Sequence, residues 1–161
     1  MEFLLWLDNS AVGIWVRESP SLWAYPGIIT FHTVGLALLV GISAAIDFLI
    51  LLSVPRGVLA PMARLFPVMW FGFWLNALSG VLLLVADASV MLRNPVMYIK
   101  FGFVILGIIS MRMITHGLFA DLSGTTPLDA RARLLATSSL IFWTGAIVAG
   151  RLTAYIGLPA L

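Results

Sequence analysis

The chain has 161 residues, of which 61% are hydrophobic and 10% are charged, with a net charge of +2. Soluble domains average about 45–50% apolar and about 25% charged residues, so the composition excludes a soluble fold and requires the bilayer as a solvent. The absence of cysteine excludes disulfides and iron–sulfur clusters, the two histidines exclude a multi-histidine metal centre, and the lack of a basic run excludes a nucleic-acid partner.

Residues 1–20 are predicted to form an interfacial segment. The stretch is too short and too polar to span a membrane, but Trp6 and Trp15 beside charged residues are typical of short amphipathic helices at the membrane surface. Glu2 stands where a signal peptide would carry basic residues, so we do not expect cleavage here. Pro20 ends the segment.

The rest of the chain, residues 21–161, is predicted to be one transmembrane domain of four helices. The first apolar run would be about 48 Å long at ~1.5 Å per residue, so it must tilt or protrude from the bilayer. The polar loop that precedes the last span holds Thr126, Pro127 and Asp129, a pattern typical of a helix N-terminus. The predicted spans cover residues 21–52, 68–87, 98–119 and 134–156.

Four spans place both chain termini on one side, which we call the outer end. The two loops at the opposite, inner end carry the arginines Arg56, Arg64, Arg131 and Arg133. By the positive-inside rule these loops are cytoplasmic and both termini are periplasmic. The predicted fold is therefore an all-α, integral membrane four-helix bundle with an N-terminal interfacial helix.

Polar residues recur along one face of each predicted helix. At 100° per residue the aligned sets are His32, Gly35, Leu39 and Ser43; Gly72, Asn76, Gly80, Leu83 and Asp87; Lys100, Gly107 and Met111; and Thr137, Thr144, Arg151 and Tyr155. Charged groups in membrane helices are costly, so we expect these faces to point into the bundle.

Depth along the helices sorts the polar residues into two layers. The outer layer contains His32, Asp87, Lys100, Arg151 and Tyr155, and the inner layer contains Asp47, Arg112 and His116. One interpretation is purely structural: Asp87 pairs with Lys100 or Arg151, Asp47 pairs with Arg112, and the pairs fix the helix register.

The other interpretation is a cofactor site in the outer layer. A histidine beside cationic and phenolic groups can bind a quinone and relay protons, and His32 is also the candidate metal ligand for haem b. A haem shared by His32 and His116 would need both at one depth, but their positions in the predicted spans differ by ~12 Å along the axis. Met91 or Met97 is an alternative second ligand in the outer layer.

Three stretches resemble a known family: FHTVG with His32, the NPVMYIK turn that begins at Asn94, and the closing GRLTAY with Arg151. They are similar to a family of bacterial four-helix inner-membrane proteins catalogued as a domain of unknown function. That family looks distantly like copper-resistance D and cytochrome b-type membrane proteins. The resemblance implies a bacterial inner-membrane location, and the haem or copper habits of the wider group map only onto His32.

The leading hypothesis is a small membrane subunit of a redox system that binds a quinone or haem b in its outer half and serves electron transfer or membrane anchoring. Its partners would be the lipid bilayer and membrane or periplasmic redox subunits, or further copies of itself. The alternatives are a non-catalytic accessory subunit, and copper or small-solute handling. The sequence holds no nucleophile or phosphate-loop motif and leaves open whether the protein is an enzyme.

Overall fold

The computed structural model describes residues 2–118, 130–153 and 155–156, and within this part the regular secondary structure is helical throughout. The helices are α1 (Glu2–Asp8), α2 (Ala11–Glu18), α3 (Tyr25–Leu51), α4 (Arg56–Leu59), a 310 helix (Ala60–Leu65), α5 (Phe66–Ala86), α6 (Ala88–Met91), α7 (Pro95–Leu118) and α8 (Ala130–Leu152). Four apolar helical runs are long enough to cross a bilayer: Tyr25–Leu51, Arg56–Ala86, Pro95–Gly117 and Ala130–Leu152. The protein is a multi-pass, all-α membrane protein.

The helices start earlier or later than hydropathy alone predicts, and prolines explain part of the difference. The second span was predicted from residue 68, but α4 and the 310 helix lead directly into α5. Pro61 and Pro67 stand in the first turn of the 310 helix and of α5, where a missing N–H costs no hydrogen bond. They begin helices here and do not interrupt the run. The predicted helix start at residues 126–129 lies outside the described residues.

The four long helices form a bundle with unequal sides. The backbone of α3 packs closely against α5 and α8, and α7 packs against α8. The fourth side, between α5 and α7, is bridged mainly by side chains. One residue from each long helix meets in the central core, which consists of Leu39, Met69, Met111 and Trp143.

Two glycines allow the closest approach in the bundle. A Cβ at Gly35 of α3 would lie 2.6 Å from the backbone nitrogen of Asn76 and 2.8 Å from the carbonyl oxygen of Gly72. A Cβ at Gly72 of α5 would lie 2.9 Å from the carbonyl oxygen of Gly35. The two backbones are therefore in direct contact, as small residues permit in membrane helices.

The N-terminal helices α1 and α2 cap the outer end of the bundle. Arg17 donates to the carbonyl oxygen of Ala86 at 2.8 Å, at the C-terminus of α5, and Asp8 accepts from the backbone N–H of Ser89 at 3.2 Å, in the first turn of α6. The positive charge of Arg17 lies at the negative C-terminal end of the α5 dipole, and the negative charge of Asp8 lies at the positive N-terminal end of the α6 dipole. Val16 is fully buried in the core that this contact forms.

The carboxyl of Asp8 titrates outside the membrane spans. Although burial raises its pKa, hydrogen bonds from Ser89 and Ala88 and the nearby charge of Arg17 outweigh this effect. The pKa of Asp8 therefore lies below its ordinary value. The carboxylate is the form that holds the N-terminal helices in place.

The predicted inward faces are confirmed for α3 and α7 and wrong for α8. Gly35, Leu39 and Ser43 are buried in α3, and Gly107 and Met111 are buried in α7. In α8 the threonines and Arg151 of the predicted stripe are exposed. The buried face consists instead of Ala132, Ala136, Ser139, Trp143, Ala146 and Ala149. Apart from Trp143, these side chains are small and let α8 approach α3 and α7 closely. This steric advantage outweighs the tendency of polar groups to turn inward.

Large apolar side chains cover the outside of the bundle. Examples on the long helices are Ile29, Phe48, Phe71, Leu78, Ile105, Ile109, Ile141 and Val148. Such a surface is stable only in contact with lipid, so these residues face the bilayer.

Candidate functional site

The outer polar layer centres on His32, which is half-buried between α3 and α5. Its Nδ1 atom lies 2.9 Å from the carbonyl oxygen of Asn76 and 3.2 Å from Oγ of Ser79. A carbonyl oxygen can only accept a hydrogen bond, so Nδ1 must carry the proton. In the neutral ring this leaves Nε2 with a free lone pair, the arrangement that a ligand-binding or proton-accepting histidine needs.

Asn76 of α5 also forms a second hydrogen bond to α3. Its side-chain Nδ2 donates to the backbone carbonyl oxygen of His32 at 2.8 Å, so the two residues bond each other reciprocally. Gly80, one turn further along α5, leaves room for the ring, because a Cβ there would lie 3.0 Å from Cε1 of His32. The predicted alignment of Gly72, Asn76 and Gly80 is thus the surface of α5 that receives His32.

Lys100 of α7 shares this layer with His32. The lysine is half-buried, and its aliphatic chain lies along α8, where a Cβ at Gly150 would be 3.4 Å from Cε of Lys100. The charge of Lys100 is close enough to act on the imidazole of His32. The outer layer therefore contains one acceptor, Nε2 of His32, and one cationic donor, Lys100.

The other three residues of the predicted outer site lie apart from this pair. Asp87 is half-buried at the junction of α5 and α6, and no ion pair links it to Lys100 or Arg151 in the described part of the chain. Arg151 is exposed at the end of α8, and Tyr155 is 76% exposed beyond it. The predicted salt bridges of Asp87 are wrong, because Lys100 extends along α8 and Arg151 turns outward.

The predicted inner layer is also rearranged. Arg112 does not pair with Asp47. Its guanidinium lies over the ring of Trp70, 5.1 Å from the ring centre, because α7 presents Arg112 to the open side next to α5. His116 is exposed one turn further along α7. Asp47 instead points into the bundle, where Ser43 and Ser139 are its polar neighbours.

The residues do not fit a haem held by His32 and His116. His32 lies seven residues to the outer side of Leu39, and His116 lies five residues to the inner side of Met111. Because Leu39 and Met111 meet in one core cluster, the two histidines are about 18 Å apart along the bundle axis at ~1.5 Å per residue. Within the described ranges, no three His, Cys, Asp or Glu side chains are grouped to hold a metal ion.

Several contacts of the outer end were missed by sequence reasoning. Asn94 is buried, caps α7 by accepting from the backbone N–H of Val96 at 3.0 Å, and donates to the carbonyl oxygens of Thr153 and Ile156. The Asn-Pro pair was a detectable signal for the cap. The link to the end of α8 had no sequence signal, because it joins residues about 60 positions apart.

Comparison of the chain with protein-family models, curated proteins and solved structures found no match.

Proposed function

We propose that the protein is a small membrane subunit of a redox system and that it binds the head group of a quinone in its outer half, at His32 and Lys100. The observation that carries the proposal is the fixed tautomer of His32, whose Nδ1 donates to the Asn76 carbonyl and whose Nε2 remains an acceptor. Lys100 supplies a cationic donor in the same layer.

An acceptor and a donor together match both forms of a quinone. A quinone carbonyl oxygen accepts a hydrogen bond, which Lys100 can donate, and a hydroquinone hydroxyl donates one, which Nε2 of His32 can accept. Both side chains are half-buried in the outer half of the bundle, within reach of a molecule dissolved in the bilayer. A shared bis-histidine haem b does not fit these residues, for the reason of depth given above.

The proposal extends to location and partners. The arginines at the inner end favour an orientation with both termini in the periplasm. The bacterial inner membrane is the location that the family resemblance implies. Trp6 and Trp15 are exposed on α1 and α2, so the outer end offers aromatic side chains to the membrane surface or to a periplasmic electron-transfer subunit.

The variant His32→Asn tests the quinone site without disturbing the packing. Asparagine places a side-chain N–H close to the position of Nδ1, so the bond to the Asn76 carbonyl can persist while Nε2 is lost. We expect at least a tenfold loss of affinity for a short-chain benzoquinone, measured with the purified protein in lipid nanodiscs, and an unchanged melting temperature. His116→Asn, at the opposite end, is the matched control and should bind normally. Wild-type affinity in His32→Asn would refute the site.

A second candidate is an accessory subunit in which His32 only fixes the helices. The reciprocal bonds between His32 and Asn76 favour it, because they already account for one ring nitrogen and for the asparagine side chain. This function predicts that His32→Asn retains every property, whereas His32→Leu loses folding or assembly. The two candidates therefore differ in the quinone affinity of a variant that folds normally.

A further inference from the structure

Asp47 is a second polar centre, and the outer site does not use it. The residue lies in the inner half of α3 and is 1% exposed. Its Oδ2 atom is completely buried and has no hydrogen-bond partner among the described residues. A buried carboxyl oxygen without a partner is costly in a membrane protein, so its presence requires an explanation.

The groups that face Asp47 from the neighbouring helices carry no charge. They are Ser43 one turn back on α3, Met69 on α5, Met111, Ile114 and Thr115 on α7, and Ser139 on α8. Thr115 directs its hydroxyl to the carbonyl oxygen of Arg112 at 3.1 Å. The nearest charged side chains on the packed helices point elsewhere: Arg112 covers Trp70, His116 is exposed, and Arg133 donates to Ser53. No described cation neutralises the carboxyl.

A small cavity borders this carboxyl. It has a volume of about 10 Å3 and lies between Asp47, Ser43 and Thr115 on its polar side and Met69, Met111 and Ile114 on its apolar side. A cavity needs roughly 10–15 Å3 to hold one water molecule, so this one accommodates a single water at most. Such a water would contact the carboxyl and the hydroxyls of the serine and the threonine.

A larger cavity opens at the inner end of the bundle. It has a volume of about 320 Å3 and is lined by Arg56 and Arg131 at its mouth and by apolar residues, including Ile50 and Ile114, at its base. Ile114 lines both cavities, and Ile50 lies one turn from Asp47 on α3. Ile50 and Ile114 belong to one buried apolar cluster, and this Ile50–Ile114 layer lies between the carboxyl and the opening at the inner end.

We propose that Asp47 is a proton-binding site that exchanges protons with the inner side of the membrane through this cavity. A hydronium ion that passes the Ile50–Ile114 layer transfers its proton to Oδ2 of Asp47. The carboxylate becomes a carboxylic acid, and a neutral water remains in the small cavity. Release reverses the step, with the same water as the acceptor. The site uses no residue of the quinone site, so it stands if the proposed quinone function fails.

The accessibility of this pathway from the inner side can be measured by thiol labelling, because the chain has no cysteine that would react in the background. Ile114→Cys places a single thiol at the wall that both cavities share, and Ser110→Cys places one at a buried serine of α7 that lines neither cavity. We expect a small, membrane-impermeant thiol reagent to modify Ile114→Cys from the inner side of oriented vesicles at least tenfold faster than Ser110→Cys. Adding Leu135→Trp, which narrows the larger cavity, should slow that reaction at least tenfold.

Two outcomes of the labelling would overturn the proposal. One is modification of Ile114→Cys from the outer side only, and the other is a rate no faster than that of Ser110→Cys. Faster labelling that Leu135→Trp does not slow would also count against it, because the pathway would then not run through the larger cavity.

The proton itself is tested by infrared difference spectroscopy of the full chain in liposomes. We expect a carboxylic acid C=O band that appears on acidification, exchanges in D2O, and is absent in Asp47→Asn but present in Asp8→Asn. Ser139→Ala should move this band to higher frequency, since it removes a hydroxyl next to the carboxyl, and this small change keeps the test valid if Asp47→Asn fails to fold. Wild-type protein without an Asp47-dependent band at any pH would refute the assignment.

Discussion

The two polar layers of the bundle differ in how completely their groups are bonded. In the outer layer, His32 and Asn76 satisfy each other across α3 and α5, and the backbones touch at Gly35 and Gly72. In the inner layer, bulky residues such as Met69 and Met111 fill the space beside Asp47 and leave one of its oxygens without a partner.

The difference in hydrogen bonding between the two layers indicates which polar groups hold a membrane bundle together. A group that is fully bonded between two helices fixes their position, since lipid offers it no other partner. A group that remains unbonded contributes little to packing and remains open to a proton, a water or a ligand. The comparison therefore assigns helix packing mainly to the outer layer, through Nδ1 of His32. It assigns reactivity to the two unbonded atoms, Nε2 of His32 and Oδ2 of Asp47.

The largest expected effect is at the backbone contact of the outer layer. Gly35→Ala places a methyl group 2.6 Å from a backbone nitrogen, so α3 and α5 must separate. We expect a loss of about 1–3 kcal/mol in the free energy of unfolding. The free energy of unfolding can be measured by steric trapping or denaturant titration in lipid bicelles. Gly41→Ala, on the same helix with nothing within 4 Å of its Cβ, is the control and should change the value by less than about 0.5 kcal/mol.

The second effect compares the two layers directly. Asn76→Leu removes the bond to the carbonyl oxygen of His32 and should cost about 0.6–1.7 kcal/mol, between the average and the largest contribution of hydrogen bonds between membrane helices. Asp47→Leu removes Oδ2, which has no partner, together with the oxygen that bonds Ser43 and Ser139. It should cost less, because the gain from no longer burying a carboxyl offsets the lost hydrogen bonds. The same unfolding measurement compares the two variants. A larger loss of unfolding free energy in Asp47→Leu than in Asn76→Leu would contradict the assignment of packing to the outer layer.

A smaller effect is expected at the open side between α5 and α7. Arg112→Met removes the cation that lies over Trp70, an interaction worth about 0.5–1 kcal/mol at exposed sites. Arg64→Met, at an exposed arginine of the same end, controls for the change in net charge. Equal stability of the two variants would show that the contact with Trp70 contributes nothing.

The smallest effect on the bundle as a whole is expected at Asp8. The pKa of Asp8 is lower in the folded protein than in the unfolded chain, where a carboxyl titrates at about 3.9. The contribution of Asp8 to stability is therefore complete above about pH 3.9 and is lost as the pH falls through the lower pKa of the folded state. We expect α1 and α2 to detach in that acidic range while the four long helices stay folded. Pepsin cleavage within residues 2–18 should rise steeply there. In Asp8→Asn the cleavage should already be high at the upper end of the range and change little with pH.

Much of the outer site could be predicted from sequence, because it depends on positions along single helices. The spacing of Gly72, Asn76 and Gly80 identified the face of α5 that receives His32, and the depth of Lys100 placed it in the same layer. The pairing of charges could not be predicted, because it depends on how far each helix is rotated. Arg112 and Arg151 both face away from the carboxylates that sequence reasoning assigned to them.

The sequence alone determined that the chain is a four-span helical membrane protein. Long apolar runs leave backbone groups no water to bond, so each run must satisfy its own hydrogen bonds as a helix. Only the tertiary structure decided which face of each helix is buried. In lipid the inside and the outside of a bundle are equally apolar, so steric fit decides, as the alanine and serine face of α8 shows. That fit leaves Asp47 buried without a cation, a feature that no single helix reveals.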